Sequence, residues 1–343
     1  MSIIPVEVPT GAIRYNTDSN KMECFNGTKW MQVSVSSPDL NGGARGFHVG
    51  GRAHPGYSYS DQIDAYNIAS TGSVFDFGDM TTGGSNNYEQ GAFASSIRAC
   101  AFGGRPSNTY TNTIEFITMS STGNSQNFGD LTAPTVFPSG VSNGTRGVRL
   151  GGISPGSAPN EGRNVMDYVT IAATGDAVDF GDLLDTPALT SACASHTRGC
   201  LMGGGAPDPS YNTNRIQYIT IASLGNANDF GDMVANTTYN AAASNSVRGI
   251  SSGNGANPTS RLDMITIATL GNSIDFGTST VTRSASTASS SPVRMVVAGG
   301  YSSNYDATMD YVSFDTGGQA IDFGDLSASN AYTCGFSNAH GGL

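Results

Sequence analysis

The sequence predicts an all-β fold built from one repeated antiparallel sheet, and three observations carry that expectation. The first is composition. Glycine accounts for 45 of 343 residues and charged residues for only 13%, against usual values of about 7% and about 25%. Long solvated helices carry Glu, Lys and Arg on their outer face, so the composition argues against an all-α chain. It argues against disorder too, because 38% of residues are apolar and 14 Tyr and 15 Phe are available for a core. The second observation is internal repetition. The third is the alternation of β-type residues inside each repeat.

Asp-Phe-Gly or Asn-Phe-Gly recurs with its aromatic residue at Phe77, Phe128, Phe180, Phe230, Phe276 and Phe323, spaced by 51, 52, 50, 46 and 47 residues. Five residues before each stands Gly72, Gly123, Gly175, Gly225, Gly271 or Gly318. Eight residues before that glycine stands Asp64, Glu115, Asp167, Gln217, Asp263 or Asp310. Further upstream, Arg45, Arg98, Arg146, Arg198, Arg248 and Arg294 are each followed at +5 by glycine, usually a pair. Repetition at this period is the sequence mark of a repeat architecture.

Each copy reads as four strands. RGVRLGG (146–152) ends in a glycine pair suited to a positive-φ turn. MDYVTIAATG (166–175) alternates and is rich in Tyr, Val, Thr and Ile, which fit a pleated surface. A glycine turn leads into DAVDFGDL (176–183), and ALTSACAS (188–195) precedes the next arginine. Four strands every ~50 residues without a helical period predict the blade of a β-propeller, and stacked blades close into a ring to remove exposed edges. The expected fold is a six-bladed β-propeller over residues 41–343. The first repeat lacks a strand before Arg45, and the chain ends in AYTCGFSNAHGGL (331–343), which matches the segments preceding the other arginines. A C-terminal strand is therefore expected to complete blade one. The acidic column is expected to pair with the repeated arginines, since a ring of like charges is otherwise costly.

Residues 1–40 are expected to form a separate β-module. Within it, AIRYN (12–16), KMECFN (21–26) and KWMQV (29–33) read as strands, with turns at Thr17-Asp18-Ser19-Asn20 and Asn26-Gly27-Thr28.

The glycine pair, the acidic residue with aromatic or apolar neighbours, and the following turn and aromatic strand resemble the kelch repeat over residues 45–343. The pattern departs from ordinary kelch in carrying Phe where Trp is usual; the one tryptophan, Trp30, lies outside the repeats. DYVTIAATGDAVDFGDL and its copies resemble propeller proteins of tailed bacteriophages, notably those of marine and cyanobacterial hosts. Residues 10–32 are similar to a short β-module of phage tail-fibre and appendage proteins. The resemblance implies a virion structural protein, a tail fibre or spike head made in the bacterial host cytoplasm. Its expected task is host-surface attachment, to a glycan or protein, or contact with a neighbouring virion protein. Residues 1–40 would contact other virion proteins, and a homo-oligomer is expected. An inert capsid or neck decoration protein and a carbohydrate-active enzyme are the alternatives.

Length variation falls between the second and third strands, where the steps from glycine pair to acidic column are 13, 11, 15, 13, 10 and 10 residues. The link after Phe77, MTTGGSNNYEQ (80–90), is longer than its counterparts and lies at the same end of the sheets. Tyr, Ser, Asn, Gly and Pro dominate these loops, the composition of adaptable binding surfaces. Tyr57, Tyr59, Tyr110, Tyr211, Tyr301 and Tyr305 are the candidate binding residues, for stacking on sugars or packing on a protein. The alternative that these are solvated turns stays open.

No catalytic residue, metal ligand or cofactor is expected. His48, His54, His196 and His340 follow no column, and the copper chemistry of kelch-like galactose oxidase needs convergent His and Tyr ligands. The net charge of −11 with only Lys21 and Lys29 provides no basic stripe for nucleic acid. No apolar run reaches the ~18 residues of a membrane span, and MSIIPVEVPTG lacks the features of a signal peptide. The five cysteines follow no metal or disulfide spacing, although Cys193 and Cys200 flank one expected hairpin and a bond between them stays open.

Overall fold

A bulge recurs at the same point of every repeat and explains the most regular motif in the sequence. The computed structural model describes residues 8–17, 21–32, 44–54, 58–81, 88–155, 162–207, 210–255 and 259–343, except for the side chains of residues 21, 107, 206–207 and 210–211. In the third repeat, Ser139–Ser142, Arg146–Leu150, Val165–Thr170 and Val178–Asp182 pair in that order as an antiparallel sheet. Between the last two strands, Met166 pairs with Gly181 and Asp167 with Asp179, which leaves Phe180 unopposed. Such a bulge bends the strand and re-aims the extra side chain. Phe180 is thereby buried, and Phe77, Phe128, Phe230 and Phe323 are buried in the same way. The register shift occurs at the acidic column of all six repeats.

The glycine of the Phe-Gly pair is required by a close approach between sheets. Gly324 has φ +145°, and a Cβ there would stand 2.6 Å from the Gly72 carbonyl oxygen. The same contact joins Gly78 to Gly123, Gly129 to Gly175, Gly181 to Gly225, Gly231 to Gly271 and Gly277 to Gly318. Two glycine columns of the sequence thus meet each other, each repeat against the next. Backbone hydrogen bonds follow the same path, from Gly123 N to Phe77 O at 2.9 Å and from Gly72 N to Phe323 O at 2.9 Å.

The remaining four-stranded sheets run Gly91–Ala94, Arg98–Phe102, Thr113–Thr118, Gln126–Asp130; then Ser191–Ala194, Arg198–Pro207, Ser210–Thr220, Asn228–Asp232; and Thr287–Ser290, Arg294–Ala298, Thr308–Ser313, Ile321–Asp325. The fifth repeat, Ala241–Ser244, Arg248–Ser252, Thr259–Thr266 and Ile274–Arg283, gains a short parallel strand, Gly318–Gln319. In the first repeat, Arg45–Val49, Gln62–Asn67 and Phe75–Asp79 are completed by Cys334–Ser337 from the chain end. Phe336 stacks on Phe47 with ring centroids 5.1 Å apart. First strands pack on one another in repeat order, and Cys334–Ser337 packs on both Thr287–Ser290 and Gly91–Ala94. The last residues then fold over the ends of these strands, with His340 Nε2 2.8 Å from the Ala94 carbonyl oxygen and Gly341 N donating to Ser244 O.

The arginine column does not pair with the acidic column, which corrects the expectation from the sequence. Each arginine donates instead to a carbonyl of the next repeat: Arg45 to Met119, Arg98 to Ile171, Arg146 to Ile221, Arg198 to Ile267, Arg248 to Phe314 and Arg294 to Ile68. Four guanidinium groups also lie over a ring of their own third strand, as Arg146 does over Tyr168 at 4.4 Å. The acidic column is bonded from the preceding link, by Ser327 to Asp64, Thr81 to Glu115, Thr132 to Asp167, Leu184 N to Gln217 and Thr280 to Asp310. Arginines outside the column reach three members, Arg149 on Asp167, Arg283 on Asp310 and, at the remaining position, Arg261 on Asp263. Cys193 and Cys200 stand directly opposite across one ladder as free thiols.

Met1–Gly43 and Ala44–Leu343 are separate compact units. In the first, Ile13–Asn16, Lys21–Phe25 and Trp30–Gln32 form a three-stranded antiparallel sheet. Asn26 Oδ1 accepts from Thr28 N and Lys29 N in the second turn; residues 18–20 of the first turn lie outside the described residues. Strand alternation puts Ile13, Tyr15, Met22, Cys24 and Met31 on one face. Ile13 there is 65% exposed and Tyr15 55%.

Candidate binding face

In an antiparallel four-stranded sheet, the loops joining strands two and three share an end with the links to the next sheet. A cluster of tyrosines, arginines and one glutamate lies at that end, on the loops of the first two repeats and the link between them. Arg52–His54 pairs with Ser58–Tyr59 and, on its other side, with Ser329–Ala331 from the last link. This register sets Arg52 opposite Tyr59, with its guanidinium 5.5 Å from the ring. Tyr59 stacks on Tyr88 with centroids 4.6 Å apart. Arg105 lies over Tyr110 at 5.0 Å and Tyr88 at 5.7 Å and donates to the Tyr110 hydroxyl. Its Nη2 is 3.4 Å from Glu89 Oε2.

Glu89 is the electrostatic centre of this cluster. Burial pushes its carboxyl up to about 7, against the downward pull of Arg105 and Arg52. It also belongs to a set of six equivalent backbone positions. Glu89, Phe137, Leu189, Tyr239, Ala285 and Tyr332 all have positive φ, between +50° and +65°, and each stands two residues before the first strand of its sheet. Such a conformation is strained for a residue with a side chain and persists where neighbours hold it. Hydrogen bonds join five of the six consecutive pairs head to tail: Phe137 N to Glu89 O, Tyr239 N to Leu189 O, Ala285 N to Tyr239 O, Tyr332 N to Ala285 O and Glu89 N to Tyr332 O. Phe137, Tyr239 and Tyr332 meet edge to face at the centre, with centroids 5.5 to 6.5 Å apart. Burial raises the Tyr239 hydroxyl to about 12.

Of the tyrosines singled out by sequence, Tyr110 lies under Arg105, and Tyr59 joins the same cluster through its stack on Tyr88. Tyr110 also packs on the apolar cluster of Val136, Ile153 and Ala188, so it supports the face as well as lining it. Tyr301 and Tyr305 form a second group, 5.5 Å apart, with Tyr305 stacked on His54. Tyr57 and the side chain of Tyr211 lie outside the described residues. Sequence reasoning missed Arg52, Tyr88, Glu89, Arg105, Tyr239 and Tyr332. Tyr88 and Glu89 sit in the one elongated link, and that extra length was the available signal. Among the described residues, no group of three His, Cys, Asp or Glu side chains could hold a metal ion. In comparisons with known proteins, no family model matches the chain, and no curated protein matches it.

Proposed function

We propose that the chain is a virion appendage protein of a tailed bacteriophage, in which a six-bladed kelch-like propeller presents a binding face and residues 1–40 contact other virion proteins. The observation that carries the propeller reading is that three independent sets of contacts return from the sixth repeat to the first. These are Gly324 against Gly72, Arg294 on the Ile68 carbonyl and Ser327 on Asp64. A row of sheets with free ends would leave each set open at both ends, and closure removes the exposed edges.

The attachment reading rests on the loop face and on the resemblance of the repeats to phage propellers. Partly exposed tyrosines over two arginines, on loops of unequal length, have the chemistry of a paratope: rigid aromatic area with adaptable polar contacts. The exposed apolar face of Ile13, Tyr15, Met22 and Met31 supports a docking role for the small module and a homo-oligomeric assembly. The inert-decoration reading draws its support from Tyr110, whose packing on Val136 and Ile153 is structural.

Labelled full-length chain incubated with a panel of cyanobacterial and marine bacterial cells tests attachment. Retention on some strains is expected. The double variant Tyr59→Ser, Tyr305→Ser should lower it at least ~10-fold, the loss of two aromatic contacts. Val247→Ser, at the other end of the sheets, should leave it unchanged. Retention on no strain, or equal retention by the tyrosine variant, sinks the attachment reading in favour of decoration.

A further inference from the structure

Directly beneath the six positive-φ residues lies a cavity of about 70 Å³. By volume it holds several water-sized groups. Phe137, Tyr239 and Tyr332 form its aromatic rim, and Asn240, Ser286 and Thr333 line it below. Asn240 Nδ2 donates to Met202 O and to Ser251 Oγ, so the amide orientation is set and Oδ1 is left to the cavity. Asn240 Oδ1, Ser286 Oγ and Thr333 Oγ1 have no hydrogen-bond partner among the described residues. Asn240 is only 5% exposed and Ser286 7%. Buried polar atoms are normally satisfied, and three orphans around one space call for a partner that enters it.

The charges nearby select the kind of partner. Arg105 and Arg52 act on Glu89 at the rim, and a metal ion or ammonium group would meet their repulsion. A carboxylate or phosphate would meet the Asn240 carbonyl oxygen and the Glu89 carboxyl with no cation lining the cavity itself. A neutral group with several hydroxyls satisfies all three orphans, because each hydroxyl both donates and accepts. The aromatic rim then covers the apolar side of the same molecule, the usual construction of a small-ligand site.

We propose that this cavity binds the neutral, hydroxyl-bearing terminus of a sugar, its hydroxymethyl end among Asn240, Ser286 and Thr333 and its ring against Tyr239 and Tyr332. This rests on the reading of the loop face as a binding surface and names the chemistry at its centre. The strained positions serve to aim Glu89, Phe137, Tyr239 and Tyr332 inward at the pocket mouth.

Saturation-transfer NMR on the full chain, with glucose, galactose and N-acetylglucosamine as probes and glucuronate and inorganic phosphate as charged controls, tests the proposal. At least one neutral sugar is expected to bind in the millimolar range, ahead of both controls. Ser286→Ala should weaken it about five- to tenfold, the loss of one hydrogen bond, while leaving the melting temperature unchanged or higher because the deleted hydroxyl has no protein partner. Tyr239→Leu should weaken it as well. No binding by any neutral sugar, equal binding in Ser286→Ala, or preference for a charged control overturns the proposal. Cell retention, measured in parallel, separates the two readings. Retention without sugar binding overturns the pocket and spares attachment; sugar binding without retention spares the pocket and overturns attachment.

Discussion

Replacing Glu89 with glutamine should stabilise the protein above neutral pH and have little effect in mild acid. Burial raises the Glu89 carboxyl from the ordinary 4.5 to about 7 in the folded chain. The folded state therefore holds its proton over a range where the unfolded state has released it. The stabilising contribution is complete below pH 4.5 and is lost as pH rises through about 7. At about 1.4 kcal/mol for each tenfold change, that gap corresponds to about 3 kcal/mol between the two limits. Glutamine keeps the shape, tolerates the same positive φ to a similar degree and does not ionise. Urea unfolding of wild type and Glu89→Gln at pH 5 and pH 8.5 measures the difference directly. The variant should gain up to ~3 kcal/mol over wild type at pH 8.5 and much less at pH 5. Equal or lower stability of the variant at pH 8.5 would refute the burial argument and show that the Arg105 contact outweighs desolvation.

Four further outcomes follow from the geometry. Gly324→Ala, whose Cβ would stand 2.6 Å from Gly72 O, should lower stability well beyond Gly72→Ala, whose Cβ meets nothing within 4 Å; chemical denaturation should separate them by about 2 kcal/mol, the order of a core overpacking penalty. Arg149→Met leaves Asp167 buried without its bidentate partner, the two carrying side-chain exposures of 1% and 0%, and should cost about 3–5 kcal/mol by the same measurement. A thiol reagent should label Cys24 in the folded chain and spare Cys100 and Cys334, whose thiols burial raises to about 12; rapid labelling of either would contradict their burial. Deleting residues 334–343 removes the strand paired with Arg45–Val49 and should abolish cooperative thermal unfolding, read by circular dichroism.

The glycine and phenylalanine columns were legible because their cause is local and steric. A positive φ, a bulge and a neighbouring carbonyl so near that a Cβ would stand 2.6 Å from it admit few residue types, so each leaves a fixed letter at Gly324 or Phe323. The partner of Arg146 was not legible. It is the Ile221 carbonyl, and every residue carries a carbonyl, so the acceptor leaves no mark in the sequence. The acidic column suggested itself as partner, yet its bonds come from Thr81, Thr132 and Thr280, ordinary-looking link residues one repeat earlier. The strained positions escaped for a related reason. Glu89, Phe137 and Tyr239 reach positive φ without glycine, held by hydrogen bonds between repeats that are distant in sequence. Tyr59 and Tyr110 were found from composition, whereas Arg52 and Arg105, which organise them, looked like loop charges.

The proposed role puts this chain on a phage particle with its uneven loops directed at whatever the particle must bind. A cryo-electron microscopy map of the purified particle tests it most directly. Density is expected for the repeated sheets at the periphery, with residues 1–40 against neighbouring virion proteins and the half-buried Tyr59 and Tyr305 facing an open outer surface. Particles lacking the chain, or a map with those tyrosines sealed against the capsid, would contradict it.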